Sequence, residues 1–326
     1  MKTGDSMKTR IKTFVAAMAL GAVPALAAHA DYPDRPIKLV VPHGPGGVAD
    51  TVSRIFADAL ARELKQPVIV ENKAGASTMI GADYVAKAAP DGYTLLMASV
   101  TTLSINPFLY PNITYDPKRD FAPVSMVAAL PFYLMASPTL GVKNVKELVA
   151  LARSRPGQLN YSSPGSGTSP HLVGALFASM TGVDTLHVPY KSTASAEVDL
   201  NAGRIHFAFT GSGMAPIRSG RVIGLGVTSG ERLASMPELP TLKEQGLDLE
   251  ATVWNGVVAP AGTSPEIVGK LAAALARIAR SPDVKEKVQA HGGLTVGNTP
   301  AEFKRLIDTE AARWEKVIKE ASITVQ

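Results

Sequence analysis

The chain has 326 residues, with 33 Lys and Arg against 28 Asp and Glu, six His and no Cys. That length can bury a large core without disulfides, and the lack of cysteine excludes both a disulfide framework and an acylated lipoprotein anchor. Lys2, Lys8, Arg10, Lys12 and Asp5 fall in the first thirty residues, so the remainder is near neutral and offers no basic field for nucleic acid.

The first thirty residues read as an export signal. Basic residues precede the apolar run "TFVAAMALGAVPALA", and Ala28-His29-Ala30 places small residues where A-x-A cleavage reads them. Residues 1–30 are therefore expected to be removed, leaving a periplasmic chain that starts near Asp31; Met7 could equally be the start. The run is short for a span of ~20 residues, and no comparable run follows.

Beyond the leader, strands and helices alternate. An apolar strand over 37–42 precedes a helix over 50–64, whose Val52, Ile55, Phe56, Ala59 and Leu60 recur at helical spacing. "PVIVEN" is a second strand, "IGADYVAKAA" a helix stopped by "PDG", and "YTLLMAS" a third strand. Further on come "FYLMAS", a helix over 144–153 with Asn144 as N-cap, and "LNYSS" running through a Gly/Ser loop into another helix. "TLHVPY", "IHFAFTG", "VIGLGVTS" and "TVWNGVVAP" are strands, with a helix at "ASAEVDLNAG". Two long helices close the chain; in the last, Thr299, Pro300 and Glu302 form a capping box with Pro at N1. Such alternation predicts an α/β protein of parallel sheets covered by helices, with two domains from its length.

Two loops carry the chemistry. "PHGPGGVAD" follows the first strand and opens a helix, so its glycines let an anion approach backbone N–H groups at the positive end of a helix dipole. Gly44, Gly46 and Ala49 also match G-x-G-x-x-A, with Glu71 about where a ribose-binding acid would sit. Against a dinucleotide stand Pro45, which removes an N–H, and the export signal; a bare strand-to-helix turn is the third reading. Asp50, an acid beside an anion site, is read as stabilising the helix start. The second loop, "YSSPGSGTSPH", sets Ser163, Ser166 and Thr168 around Gly165 and Gly167 ahead of a helix, a set of neutral donors suited to a carboxylate. "SPGSG" is not the G-x-S-x-G elbow of a serine hydrolase, and the histidines show no metal-ligand spacing.

Taken in order, "YPDRPIKLVVPHGPGGVAD", "PVIVENKAGAS", "AAPDGYTLL", "YDPKRDFAPVS", "LNYSSPGSGTSPHL", "HVPYK", "PELPTLKEQG" and "WNGVVAPAGTSPEIV" resemble the tripartite tricarboxylate transporter substrate-binding proteins, also called the Bug family. The resemblance implies a type 2 periplasmic-binding-protein fold: two α/β domains around a ligand cleft with a two-strand hinge. It implies a first domain of residues 31–130 plus 250–326 and a second of 131–249. It implies capture of a small carboxylate and its delivery to a membrane permease; a monomer without cofactor, metal or nucleic-acid partner is expected. The rival is an exported α/β enzyme, a serine hydrolase or a dinucleotide-dependent oxidoreductase. Carried onto this chain, the ligand-binding set is His43, Gly44, Gly46, Gly47, Ser99, Thr101, Ser163, Ser166, Thr168, Tyr190, Thr210 and Ser212. The chain departs from the family pattern at His43, where an aromatic is usual, at Ser192, where Gly is usual, and at "TGSG" over 210–213. Lys191 is a candidate counter-ion, and Trp254 a candidate for the cleft or the core.

Overall fold

A computed structural model describes residues 32–190 and 192–325; the leader and Lys191 lie outside the described residues. The strands are β1 (Ile37–Val41), β2 (Val68–Asn72), β3 (Thr94–Ser99), β4 (Phe121–Pro131), β5 (Tyr133–Ala136), β6 (Asn160–Ser163), β7 (Leu186–Pro189), β8 (Phe207–Thr210), β9 (Ile223–Val227), β10 (Thr252–Pro260) and β11 (Leu294–Thr295). The α-helices are α1 (Val48–Leu64), α2 (Met79–Ala86), α3 (Asn106–Leu109), α4 (Val145–Ser154), α5 (Ser169–Thr181), α6 (Thr193–Asn201), α7 (Met214–Arg218), α8 (Pro265–Arg280), α9 (Pro282–Ala290) and α10 (Pro300–Glu320). From Arg35 onward the chain forms one compact unit built on two sheets, ordered β11-β4-β10-β3-β1-β2 and β7-β6-β8-β5-β9.

In the first sheet β1 lies between β2 and β3, parallel to both, and its "IKLVV" buries Ile37, Leu39, Val40 and Val41. This is the apolar run that a strand covered by helices on both faces requires. The sequence reading expected parallel sheets, but β10 runs antiparallel between β3 and β4, so the sheet is mixed. Strand β4 is absent from that reading because "FAPVSMVAALP" shows no alternation and carries Pro123. The structure resolves this with a register shift where Pro123 faces Val258, the kind of irregularity at which a strand tolerates proline. Helix α9 and the two-residue β11 also escaped it, so the last two long helices are not consecutive.

Helix α10 starts with the expected capping box: Glu302 N–H donates to Thr299 Oγ1 at 3.3 Å and Thr299 N–H to Glu302 Oε2 at 2.8 Å. It returns from the chain end to pack on the first sheet through β4 and on α5 of the second. Trp254 of β10 fills the core beneath it, 1% exposed and edge-on to Phe303 at 5.4 Å, which settles its place away from the cleft.

Two passages link the sheets, β4 into β5 and β9 back to β10. They are stitched at one point. Phe132 N–H donates to Thr228 Oγ1 at 2.8 Å, and Thr228 Oγ1 donates to Ala251 O at 2.6 Å. Thr228 N–H and Ala251 N–H complete the stitch with bonds to Phe132 O and Thr228 O. Two strands crossing side by side, with a buried hydroxyl between them, form a two-strand hinge between two α/β lobes.

Candidate functional site

A cavity of about 670 Å³ opens between the lobes. Its walls come from the carboxyl ends of β1, β2, β3, β6 and β8: residues 42–44, 74–75, 77–78, Thr101, 164–170 and Gly211, with Tyr110, Phe132 and Val253 completing it. Ligands bind at this edge of open α/β sheets. Among the described residues no Lys, Arg, Asp or Glu lines it.

The first loop is shaped by a charged network behind it. Asp50, 3% exposed, accepts hydrogen bonds from Gly46 N–H at 2.9 Å, Arg54 Nε at 3.0 Å and Asn72 Nδ2 at 2.8 Å. Asn72 Nδ2 also donates to His43 O at 3.0 Å, and Arg54 reaches Asn72 Oδ1 at 2.9 Å. Burial pushes the Asp50 carboxyl up, but its donors outweigh burial and hold it at about 2. Asp50 therefore steadies the loop and helix start, as its position implied, and keeps its charge out of the cavity. Gly46, at φ +84°, closes the turn with its amide already engaged, and neither it nor Gly47 lines the cavity. His43 and Gly44 do line it. His43 Nε2 is enclosed without a hydrogen-bond partner, and burial lowers the ring's pKa, so it stands as a neutral imidazole on the cavity wall.

The wall contributed by the β2–α2 loop was not singled out from the sequence. Ala76, Ser77 and Thr78 all have positive φ, at 44°, 51° and 76°, although none is glycine. Such a run is costly and persists only when its surroundings impose it. Here buried Asn106 donates to Ser77 O at 2.6 Å, and Thr102 Oγ1 donates to Thr78 Oγ1 at 2.9 Å. Ser99 belongs to the same scaffold, 1% exposed and bonded to Thr102, and so sits behind the cavity. Thr101 faces forward, and its hydroxyl meets Ser169 of the other lobe at 3.3 Å. "ENKAGAST" carried one usable signal, a glycine followed by small hydroxyl residues between a strand and a helix.

The second loop is held by neutral groups. Ser163 is 2% exposed; its Oγ donates to Gly165 O at 2.8 Å and lies 2.7 Å from His187 Nε2. Thr168 Oγ1 donates to Gly165 O at 2.7 Å rather than capping α5, and Gly167 N–H donates to His171 Nδ1 at 3.0 Å. Ser166 and Thr168 line the cavity, while Ser163 lies behind it. Thr210 and Ser212 bond one another at 3.1 Å, leaving Gly211 between them at the cavity. Tyr190 donates to Asp199 at 2.5 Å and is not among the lining residues. Thus His43, Gly44, Thr101, Ser166 and Thr168 share the cavity, and Gly46, Gly47, Ser99, Ser163, Tyr190, Thr210 and Ser212 surround or support it.

Features expected of an enzyme are turned to other uses. Glu71 pairs with Lys38 at 2.8 Å and Lys73 at 2.7 Å, so it is no free ribose ligand. The Ser163–His187 contact is half-buried behind the loop, and among the described residues no imidazole hydrogen-bonds to Ser166. Among the described residues no group of His, Asp and Glu is arranged to hold a metal ion, and no helix is long and apolar enough to cross a membrane.

The sequence profile of the tripartite tricarboxylate transporter family receptor matches residues 52–323. The chain belongs to this family. Protein BugT of Bordetella pertussis is 36% identical over 89% of this chain and 90% of its own length. A solved structure of R. palustris Rpa4515 with adipate superposes with a TM-score of 0.76 at 36% identity, covering 90% of this chain and 99% of that one. MatC of Rhodopseudomonas palustris with bound malate gives 0.71 at 31% identity, covering 88% of this chain and all of that one. The family resemblance read from the ordered motifs is thereby borne out, as is the fold. Members of this family are periplasmic substrate-binding receptors, not enzymes.

Proposed function

We propose that this receptor captures a small organic carboxylate between its lobes and delivers it to the membrane subunits of a tripartite tricarboxylate-type transporter. The single observation that carries the reading is a cavity walled by Gly/Ser/Thr loops from both lobes and, among the described residues, lined by no charged side chain. A carboxylate there is held by backbone N–H groups, hydroxyls and the enclosed His43 Nε2, so each lobe supplies donors and the ligand draws them together. The adipate and malate of the two R. palustris relatives support this ligand class.

The proposed contact set is His43 and Gly44 on one side and Ser166 and Thr168 on the other, with Thr101 at the seam. Gly46, Gly47, Ser99, Ser163, Tyr190, Thr210 and Ser212 shape those contacts from behind. The lobes are proposed to divide into 31–130 plus 250–326 and 131–249, and the mature receptor to act as a monomer exported by a cleaved leader.

Thermal shift and calorimetry with mono-, di- and tricarboxylates test the reading, because a ligand that binds only the native state raises its melting point. Gly44→Val is the matched variant. A Cβ at Gly44 meets nothing within 4 Å, so the fold is kept while the cavity wall is obstructed, and affinity should fall by about tenfold or more. Unchanged affinity, or no response to any carboxylate, would contradict the proposal.

A further inference from the structure

Behind the second loop, on the side away from the cavity, His171 of α5 and His187 of β7 lie face to face with ring centroids 3.6 Å apart and planes 9° from parallel. Unlike the histidine on the cavity wall, this pair touches the binding loop only from behind. Gly167 N–H can only donate, so His171 Nδ1, 3.0 Å away, must be unprotonated and act as its acceptor. His187 reaches the same loop through Ser163, whose Oγ in turn holds Gly165 O. A proton on His171 Nδ1 would set one N–H against another. It would also place a charge 3.6 Å from the second ring.

We propose that His171 is a positioning residue that fastens the second loop only while uncharged, and that a proton on His171 Nδ1 unfastens that loop and releases the bound carboxylate. The release step rests on the carboxylate reading above; the fastening does not.

The surroundings fit this role. Tyr161 of β6 packs against both rings, at 6.3 and 5.1 Å, and stacks on the uncharged Phe207 of β8 at 5.4 Å. The carboxylates of Asp184, before β7, and Glu320, at the end of α10, line the same rear cavity. Glu320 is already engaged by Ser179 at 3.2 Å and Lys316 at 3.8 Å. Burial prevails, joined at His187 by the neighbouring imidazole, and both rings are held at about 4. The pair is therefore neutral near pH 7 and titrates on acidification.

The test is amide exchange and resonance position of Gly167 in the full 15N-labelled chain across the ring titration. The wild-type amide should move with the His171 ring and lose about fivefold or more of its protection, taken against the intrinsic exchange rate at each pH, once the ring is charged, the scale of one hydrogen bond. His171→Phe should lose that protection at neutral pH as well. His171→Asn, whose Oδ1 can take the place of Nδ1 as acceptor, should restore it and flatten the pH profile. Gly167 protection that ignores the ring titration, or that is the same in H171F as in wild type, would overturn the fastening; the wild-type titration decides alone if H171F does not fold. Calorimetry with adipate at pH 7 and pH 4, with H171N alongside to cancel protonation of adipate itself, reads the release. A wild-type loss exceeding that of H171N supports it, and equal losses overturn it. No adipate binding at either pH would count against the carboxylate reading and leave the amide result to stand by itself.

Discussion

The two loops that wall the cavity have the same design at the sequence level, Gly-rich turns between a strand and a helix, yet they are fastened by opposite means. The 42–47 loop is tied by a charged network in which one carboxylate, Asp50, gathers a backbone amide, a guanidinium and a carboxamide. The 163–169 loop is tied by hydroxyls and neutral imidazoles. Among the described residues, both means keep formal charge off the cavity wall while presenting donors to it. The difference is in what disturbs them. A carboxylate held at about 2 is indifferent to pH across the ordinary range, whereas imidazoles held at about 4 respond to mild acid.

The largest separation of the two should come from Asp50→Ala. It leaves Gly46 N–H, Asn72 and Arg54 without their shared acceptor, so a cost of about 2–3 kcal/mol is expected by chemical denaturation, with the first loop disordered. A variant as stable as wild type would show that the network does not fasten that loop. Gly174→Ala strikes the second side. A Cβ there would come within 2.1 Å of the Tyr161 ring, which is itself stacked on Phe207 and against the histidines. Overpacking of this kind costs about 1–3 kcal/mol, and the Gly167 amide should lose protection while Gly46 keeps its own.

Acid should sharpen the contrast further. The unfolded chain takes up imidazole protons near pH 6.5, while the folded pair resists them until about 4. Stability thus falls as pH drops from about 6.5 towards 4, by up to about 1.4 kcal/mol per pH unit for each ring. The stability due to Asp50 is complete above the unfolded carboxyl value of 3.8 and is lost only as pH falls from there through about 2. A denaturation midpoint that is flat between pH 6.5 and 4.5 in wild type would break the distinction. Thr101→Ala should have the smallest effect. It removes one hydroxyl contact across the cleft, at 3.3 Å, worth under about 1 kcal/mol, and calorimetry should show less than about a fivefold change in affinity.

Much of this arrangement was legible in the sequence, for physical reasons. Strands such as "IKLVV" and the capping box of α10 are local signals, and they hold in the fold. The two Gly-rich loops announce themselves because close backbone approach requires glycine. What could not be read depends on partners far apart in the chain. Whether Ser99 faces the cavity or Thr102 is decided by Thr78 and Asn106, which also hold three non-glycine residues at positive φ. Likewise Tyr190 turns to Asp199, and Gly46 spends its amide on Asp50, so neighbours in a motif take separate roles. The β4 strand was hidden because a run buried on both faces has no alternation to betray it.

That a single ligand is shared by both lobes can be measured directly by titrating the 15N-labelled chain with adipate and following the amides of Gly44 and Ser166. The two should shift together and saturate with one dissociation constant, because one carboxylate meets both loops. Movement of either amide without the other, at any ratio of adipate to protein, would contradict it.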